Sequence, residues 1–177
     1  MKLFQSLFKP VGPCIDLRAG REEDLKAFGD LLQVEAANGH FFGLNTSKEI
    51  DGYLAELRSQ IVALAKEKPV RVSLIAITVD AVPVGYLVLM ATSDAKVMDL
   101  NVLAIDPQWR GRGLARFAVH ELVSQLALGG RRMLVRCLPA SKSMMNLLKK
   151  LGFKEVPSTD LVVRHFMSPA LASEGCG

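Results

Sequence analysis

The segment Arg110-Gly111-Arg112-Gly113-Leu114-Ala115 combines two glycines and two cations between an apolar run, Val97 to Ile105, and a helix-like stretch, Leu114 to Leu128. A strand that turns through glycines into a helix aims several backbone N–H groups and the positive end of a helix dipole at one point, which suits a phosphate. Three loop templates compete for these residues. A Walker A loop needs Lys-Ser or Lys-Thr after its last glycine, but Gly113 is followed by Leu114 and Ala115. A dinucleotide fingerprint starting at Gly111 and Gly113 puts its third glycine on Arg116, too large for close helix–strand contact. The pattern Arg/Gln-x-x-Gly-x-Gly/Ala fits, filled by Arg110, Gly113 and Ala115, although a register starting at Gln108 satisfies it as well.

The elements that must hold this loop are legible from apolar spacing. Leu114, Phe117, Ala118, Leu122 and Leu126 mark one helix face, stopped by Gly129-Gly130. A short strand, Met133 to Leu138, follows. Ser141 is placed to cap a further helix with the stripe Met144, Leu148 and Leu151, which ends at Gly152-Phe153. Upstream, Cys14 to Arg18 forms a strand, and Leu25, Phe28, Leu31 and Leu32 a helix face. After a looser stretch from Asn38 to Asn45, Thr46 and Glu49 make a capping box for a long amphipathic helix. Val72 to Val79 and Val84 to Ala91 flank the connection Asp80-Ala81-Val82-Pro83 as antiparallel strands, and Lys96 to Ile105 is the next strand. The order is βααβββαβα, with one or two strands between Thr159 and Met167.

Taken together, the loop, the strand before it and Leu151-Gly152-Phe153 after the last helix resemble the GNAT superfamily of N-acetyltransferases. The likeness runs over roughly residues 14 to 167. It implies an α/β fold with a mixed, mostly antiparallel sheet of six to seven strands, the fourth and fifth splayed apart, flanked by about four helices. It also selects the register beginning at Arg110, because family members start the motif five positions after the last strand valine or isoleucine, here Ile105.

By this resemblance acetyl-coenzyme A is the acetyl donor. Backbone groups of Leu103 and Ile105 would bond the pantetheine arm, and Arg110, Gly111, Arg112, Gly113, Leu114 and Ala115 would hold the pyrophosphate. Ser141 falls where many members have an asparagine that contacts the pantetheine. Asp99, eleven residues before Arg110, matches the glutamate base of the histone-acetyltransferase branch, and Asn101 would orient substrate or water from the same strand face. The usual proton donor, a tyrosine four residues before the Gly-Phe signature, is replaced by Leu148. The acceptor site would be built from Gly39 to Asn45, with Phe41, Phe42 and Leu44 able to form an apolar wall, from Asp99 to Asn101 and from the region near Ser158 to Arg164. A primary amine of a small molecule, an amino acid or a peptide is the expected acceptor, attacking directly in a ternary complex. The rival reading is a non-catalytic acyl-coenzyme A-binding sensor or subunit, which the loss at Leu148 favours.

Composition narrows the classes. The chain has 177 residues, is half hydrophobic and carries a net charge of +4. One domain over 14–167 is expected, with tails at 1–13 and 168–177. The cations Arg110, Arg112, Arg116, Arg131, Arg132 and Arg136 lack the interleaved aromatic readers of a nucleic-acid face, so nucleic acid is not the expected partner. Cys14, Cys137 and Cys176 have neither metal nor disulfide spacing, and no metal is expected. Cys137 has no histidine with a clear base relationship and is expected to be a buried small hydrophobe. The segment from Met1 to Pro13 lacks a signal-peptide core, and no apolar run reaches the ~20 residues of a membrane span. A cytoplasmic protein without membrane attachment is expected, with a homodimer left open.

Overall fold

A computed structural model describes residues 12–41, 43–160 and 162–170. Phe42 therefore lies outside the described residues, as do most of both expected tails. The elements run β1 (Ile15–Ala19), α1 (Asp24–Ala37), α2 (Ser47–Ala65), β2 (Val72–Val79), β3 (Val82–Ala91), β4 (Val97–Ile105), α3 (Leu114–Leu128), β5 (Arg132–Cys137), α4 (Lys142–Lys150), β6 (Lys154–Val156) and β7 (Arg164–Met167). The seven strands form one sheet in the order β1-β2-β3-β4-β5-β7-β6. Among the described residues only β4 and β5 pair in parallel, as expected of two strands joined through a crossover helix.

Alternating side chains feed two cores. Ile77 and Leu87 pack with Leu114, Ala118, Val119, Leu122 and Leu148 under α3 and α4, whereas Ala76, Tyr86 and Val88 pack with Leu25, Phe28, Leu32 and Leu57 under α1 and α2. The start of α1 is fixed by Asp24, buried and gripped through both carboxylate oxygens by Arg18 of β1 at 2.7 and 2.9 Å. Thr46 and Glu49 form the expected capping box of α2.

Two connections differ from their expected form. The β2–β3 turn is Asp80-Ala81, with φ of 50° and 67°, so Val82 and Pro83 belong to β3. Two successive positive φ values are what a two-residue hairpin requires. At the other end, β6 begins directly after Gly152-Phe153, ahead of the stretch in which the last strands were expected, and pairs antiparallel with β7. Ser168 is also tied in, its N–H donating to the Met133 carbonyl at 2.8 Å while its Oγ accepts from Met133 N–H at 2.9 Å.

The decisive irregularity lies in β4. Val88 of β3 faces Val102, but Leu89 faces Leu100, so Asn101 is an extra residue, a β-bulge. Plain alternation would put Leu100, Val102 and Ala104 on one face. Instead Leu100 joins the core under α3, while Val102 and Ala104 join the core under α1 and α2. Leu103 and Ile105 are thereby turned towards α3. On its other side β4 pairs with β5 only from Val97 to Leu100, and the two strands then part.

Candidate functional site

Where β4 and β5 part, a cleft of about 600 Å³ opens. One wall is Leu103, Ala104 and Ile105, the floor is the loop with Gly111 and Gly113, and the far wall is Ser141, Ser143, Met144 and Leu147. Backbone polarity follows from register. Asp106 N–H donates to the Val84 carbonyl at 3.0 Å, and Ala104 faces Tyr86 one step along. In an antiparallel ladder the intervening residues point the other way, so Leu103 and Ile105 turn their N–H and C=O groups into the gap.

Pro107–Trp109 forms a single 3-10 turn, Arg110 is extended, and Gly111 and Gly113 adopt φ of 74° and 79°. These values put a side chain in a strained conformation, which is why glycine stands at both places. A Cβ at either would meet no atom within 4 Å, so the space in front of the loop is open. Gly113 is the N-cap of the 15-residue α3 and supplies no capping side chain, which leaves first-turn N–H groups directed at that space. Arg116 lines the same floor. An open anion cradle beside an unpaired strand edge fits a ligand with a phosphate and a long amide-bearing arm.

The structure brings Leu103, Ile105, Arg110, Gly111, Gly113, Leu114, Ala115 and Ser141 to this cleft. It does not bring Arg112, which stacks 4.6 Å over the Trp109 ring and donates to the Gln108 carbonyl. Arg110 is already engaged: its Nε donates to the Ile105 carbonyl at 2.9 Å, and its Nη2 pairs with Glu35 of α1. The Ser141 hydroxyl makes no capping bond, because at φ −81° and ψ 42° the residue lacks the extended conformation of an N-cap. It lies instead 3.3 Å from His40 Nδ1.

A second cavity, about 320 Å³, adjoins the first at His40, Phe41, Asn101 and Arg136 and reaches Leu44, Asp160, Val163 and His165. Asn101 is held by α2, its Oδ1 accepting from the Tyr53 hydroxyl at 2.9 Å. Burial first, and then the nearby Asp99 charge, keep that phenol well above its ordinary range. Asp99 stands behind this wall rather than in it. It is 5% exposed, pairs through Oδ2 with Arg136, and its buried Oδ1 has no hydrogen-bond partner among the described residues.

Cys137 is buried in the cleft wall, and burial pushes its thiol up to about 11. Leu148 is wholly buried in the core, so the part of α4 that faces the cleft carries no phenol. Sequence reasoning missed Glu35 and Arg136, and it reached His40 only as part of the stretch Gly39 to Asn45. Glu35 had a signal, since it continues the buried stripe Leu25, Phe28 and Leu32 as a carboxylate. Among the described residues no cluster of His, Cys, Asp or Glu is arranged to hold a metal, and no helix is long and apolar enough to cross a membrane.

Comparison with known proteins gives the same architecture. The model of the Acetyltransferase (GNAT) family matches residues 27–153. Among solved structures, the chain is similar to the PaiA N-acetyltransferase from Thermoplasma acidophilum in complex with coenzyme A, at 17% identity and TM-score 0.67 over 88% of this chain and 98% of that one. A Salmonella typhimurium acetyltransferase that modifies the N-terminal serine of ribosomal protein L7/L12 is 16% identical, with TM-score 0.67 over 89% and 96%. The Escherichia coli ribosomal-protein-S18-alanine N-acetyltransferase is 16% identical, with TM-score 0.60 over 93% and 99%. No curated protein sequence matches.

Proposed function

On the premise that this chain belongs to the acetyltransferase (GNAT) family, we propose that it moves an acetyl group from acetyl-coenzyme A to a primary amine, by direct attack in a ternary complex. The acceptor is an amine of a small molecule, an amino acid or a peptide. The observation that carries the reading is the cradle of Gly111 and Gly113 at an uncapped helix start, beside a β4 edge with free backbone groups. The structural neighbours that act on ribosomal proteins support the peptide option.

In this reading the N–H groups from Gly111 to Ala115 and the Arg116 guanidinium hold the pyrophosphate, and Leu103 and Ile105 bond the pantetheine arm as a neighbouring strand would. The Ile105 carbonyl already accepts from Arg110, so Ile105 contributes its N–H. Bound there, acetyl-coenzyme A supplies an activated acyl group on a thiol leaving group. Arg110 orders the cradle through Glu35 and Ile105 instead of touching phosphate.

The second cavity receives the acceptor, with Phe41 as an apolar wall and Asn101 orienting the amine at the junction. Asp99 takes the proton that the attacking amine releases, across one water to Oδ1, the carboxylate oxygen left without a partner. Arg136 holds the other oxygen and fixes its direction.

Calorimetric titration with acetyl-coenzyme A tests donor binding: saturable heat with affinity at least tenfold tighter than for ATP is expected, and no heat removes the reading. A thiol-release assay over small amines, amino acids and N-terminal peptides then identifies the acceptor. Tight donor binding without turnover on any amine would transfer the assignment to a non-catalytic acyl-coenzyme A sensor.

A further inference from the structure

Resting on the reading of the cleft as the donor site, we propose that Ser141, backed by His40 and Glu35, gives the leaving sulfur its proton, the service that α4 cannot provide. Ser141 is the catalytic acid, and His40 and Glu35 are positioning residues that act through it.

The need is chemical. When the amine nitrogen bonds to the acetyl carbon and the C–S bond breaks, the electron pair goes to sulfur, and departure is easier if a proton arrives with it. The face of α4 lining the cleft offers Ser143, Met144 and Leu147, with Leu148 turned into the core. None of these has a proton source behind it. Cys137 lies in the same wall, but burial pushes its thiol up to about 11, and among the described residues no side chain hydrogen-bonds it to refill a proton.

Ser141 is different. Its hydroxyl stands at the start of α4 in the cleft wall, is not spent on capping, and meets His40 Nδ1 at 3.3 Å. His40 Nε2 is 4.0 Å from Glu35 Oε2. The other Glu35 oxygen is fixed by Arg110, so the carboxylate cannot swing away from the imidazole. A hydroxyl alone is a poor acid, but an imidazole changes charge in the physiological range and can refill it. The carboxylate–imidazole–hydroxyl order is that of a serine triad, run here towards donation rather than abstraction.

The step balances. The Ser141 hydroxyl proton passes to sulfur as the C–S bond breaks, His40 Nδ1–H replaces it on Oγ, and Nε2–H stays directed at Glu35. Asp99, through its water, removes the proton from the acylated nitrogen, and solvent returns one to His40 after release. The charged groups around His40 are Glu35 from α1, Arg110 from the loop, Arg136 from β5, His165 from β7 and Asp160 from the segment before β7.

The test uses the full chain with free coenzyme A, following the ultraviolet absorbance of the bound thiolate against pH. A hydroxyl that donates to sulfur stabilises the thiolate, so Ser141→Ala should raise the midpoint of the bound thiol by about one pH unit, with His40→Gln giving a smaller rise in the same direction. In steady-state kinetics both variants should lose about 100-fold in kcat with the affinity for coenzyme A unchanged, and Ser141→Thr should recover most of it. Glu35→Gln, with Ser141 and His40 intact, should move the alkaline limb of the pH–rate profile to lower pH. Unmoved midpoints and an unmoved alkaline limb, with coenzyme A still binding, would overturn the relay. Acetylation of Ser141, seen by mass spectrometry after mixing with acetyl-coenzyme A alone, would also overturn it, because the hydroxyl would then be a nucleophile. If coenzyme A does not bind at all, the reading of the cleft falls and the relay goes with it.

Discussion

The donor loop and the acceptor side meet at Asn101 but are made of different materials. The loop is backbone: two glycines at positive φ, a helix start without a side-chain cap and a strand edge without a partner. The acceptor side is side chains drawn from distant parts of the chain, with Arg136 pairing Asp99 and Tyr53 holding Asn101. A backbone site tolerates changes in side chains but not in conformation. A side-chain site behaves in the opposite way, since its geometry depends on partners that any one substitution removes.

That contrast can be broken at its strongest point by Gly113→Val. At φ 79° a β-branched residue is strained by ~1–3 kcal/mol, and relaxing the loop would turn the N–H groups away. A loss of about 100-fold in acetyl-coenzyme A affinity, roughly 2.7 kcal/mol, is expected by calorimetry. The acceptor KM measured in the remaining activity should hold. Equal losses on both sides would mean that the two regions are not separable.

Asp99→Asn probes the other side. Turnover should drop by about 100-fold with donor affinity within twofold. A variant with unchanged turnover would remove Asp99 from the role of base.

Leu148→Tyr asks whether the usual acid can simply be restored. Leu148 is fully buried, so the larger ring should cost ~1–3 kcal/mol in urea unfolding and leave kcat no higher. A gain in kcat would place the phenol in the cleft and contradict the packing described here.

The smallest effect concerns acid. Burial alone would raise the Asp24 carboxyl, but hydrogen bonds from Arg18, from Arg21 N–H and from the Tyr86 hydroxyl outweigh it and hold the group below its ordinary range. A carboxyl depressed in the folded state contributes stability above its unfolded pKa and loses it as pH falls through the folded value. Since Asp24 anchors α1, which delivers Glu35, hydrogen exchange in α1 should rise on acidification below the ordinary aspartate range, before exchange in β4 and α3 does. Asp24→Asn should abolish that pH dependence.

Much of the loop side was legible because its determinants are local. Glycine spacing, the strand before it and the apolar period after it fix α3 to the residue, Leu114–Leu128. The bulge at Asn101 left no such mark, because it depends on the partner register and not on residue type, yet it decides which face Leu103 and Ile105 occupy. Ser141 was placed at the right helix start, but its bond to His40 joins residues 101 positions apart and no spacing rule encodes it. The fate of Arg112 was hidden for a related reason, since Trp109 offers the guanidinium a stacking surface away from the cleft.

Acetyl-coenzyme A, on this proposal, is held by backbone groups of the loop and of the β4 edge. Two-dimensional amide NMR of the protein during an acetyl-coenzyme A titration tests this directly. The N–H signals of Leu103, Ile105, Gly111, Gly113, Leu114 and Ala115 should move together with one dissociation constant, while those of Val163 and His165 stay in place. Saturation of binding with the loop amides unmoved, or with the shifts confined to the Val163–His165 side, would contradict it.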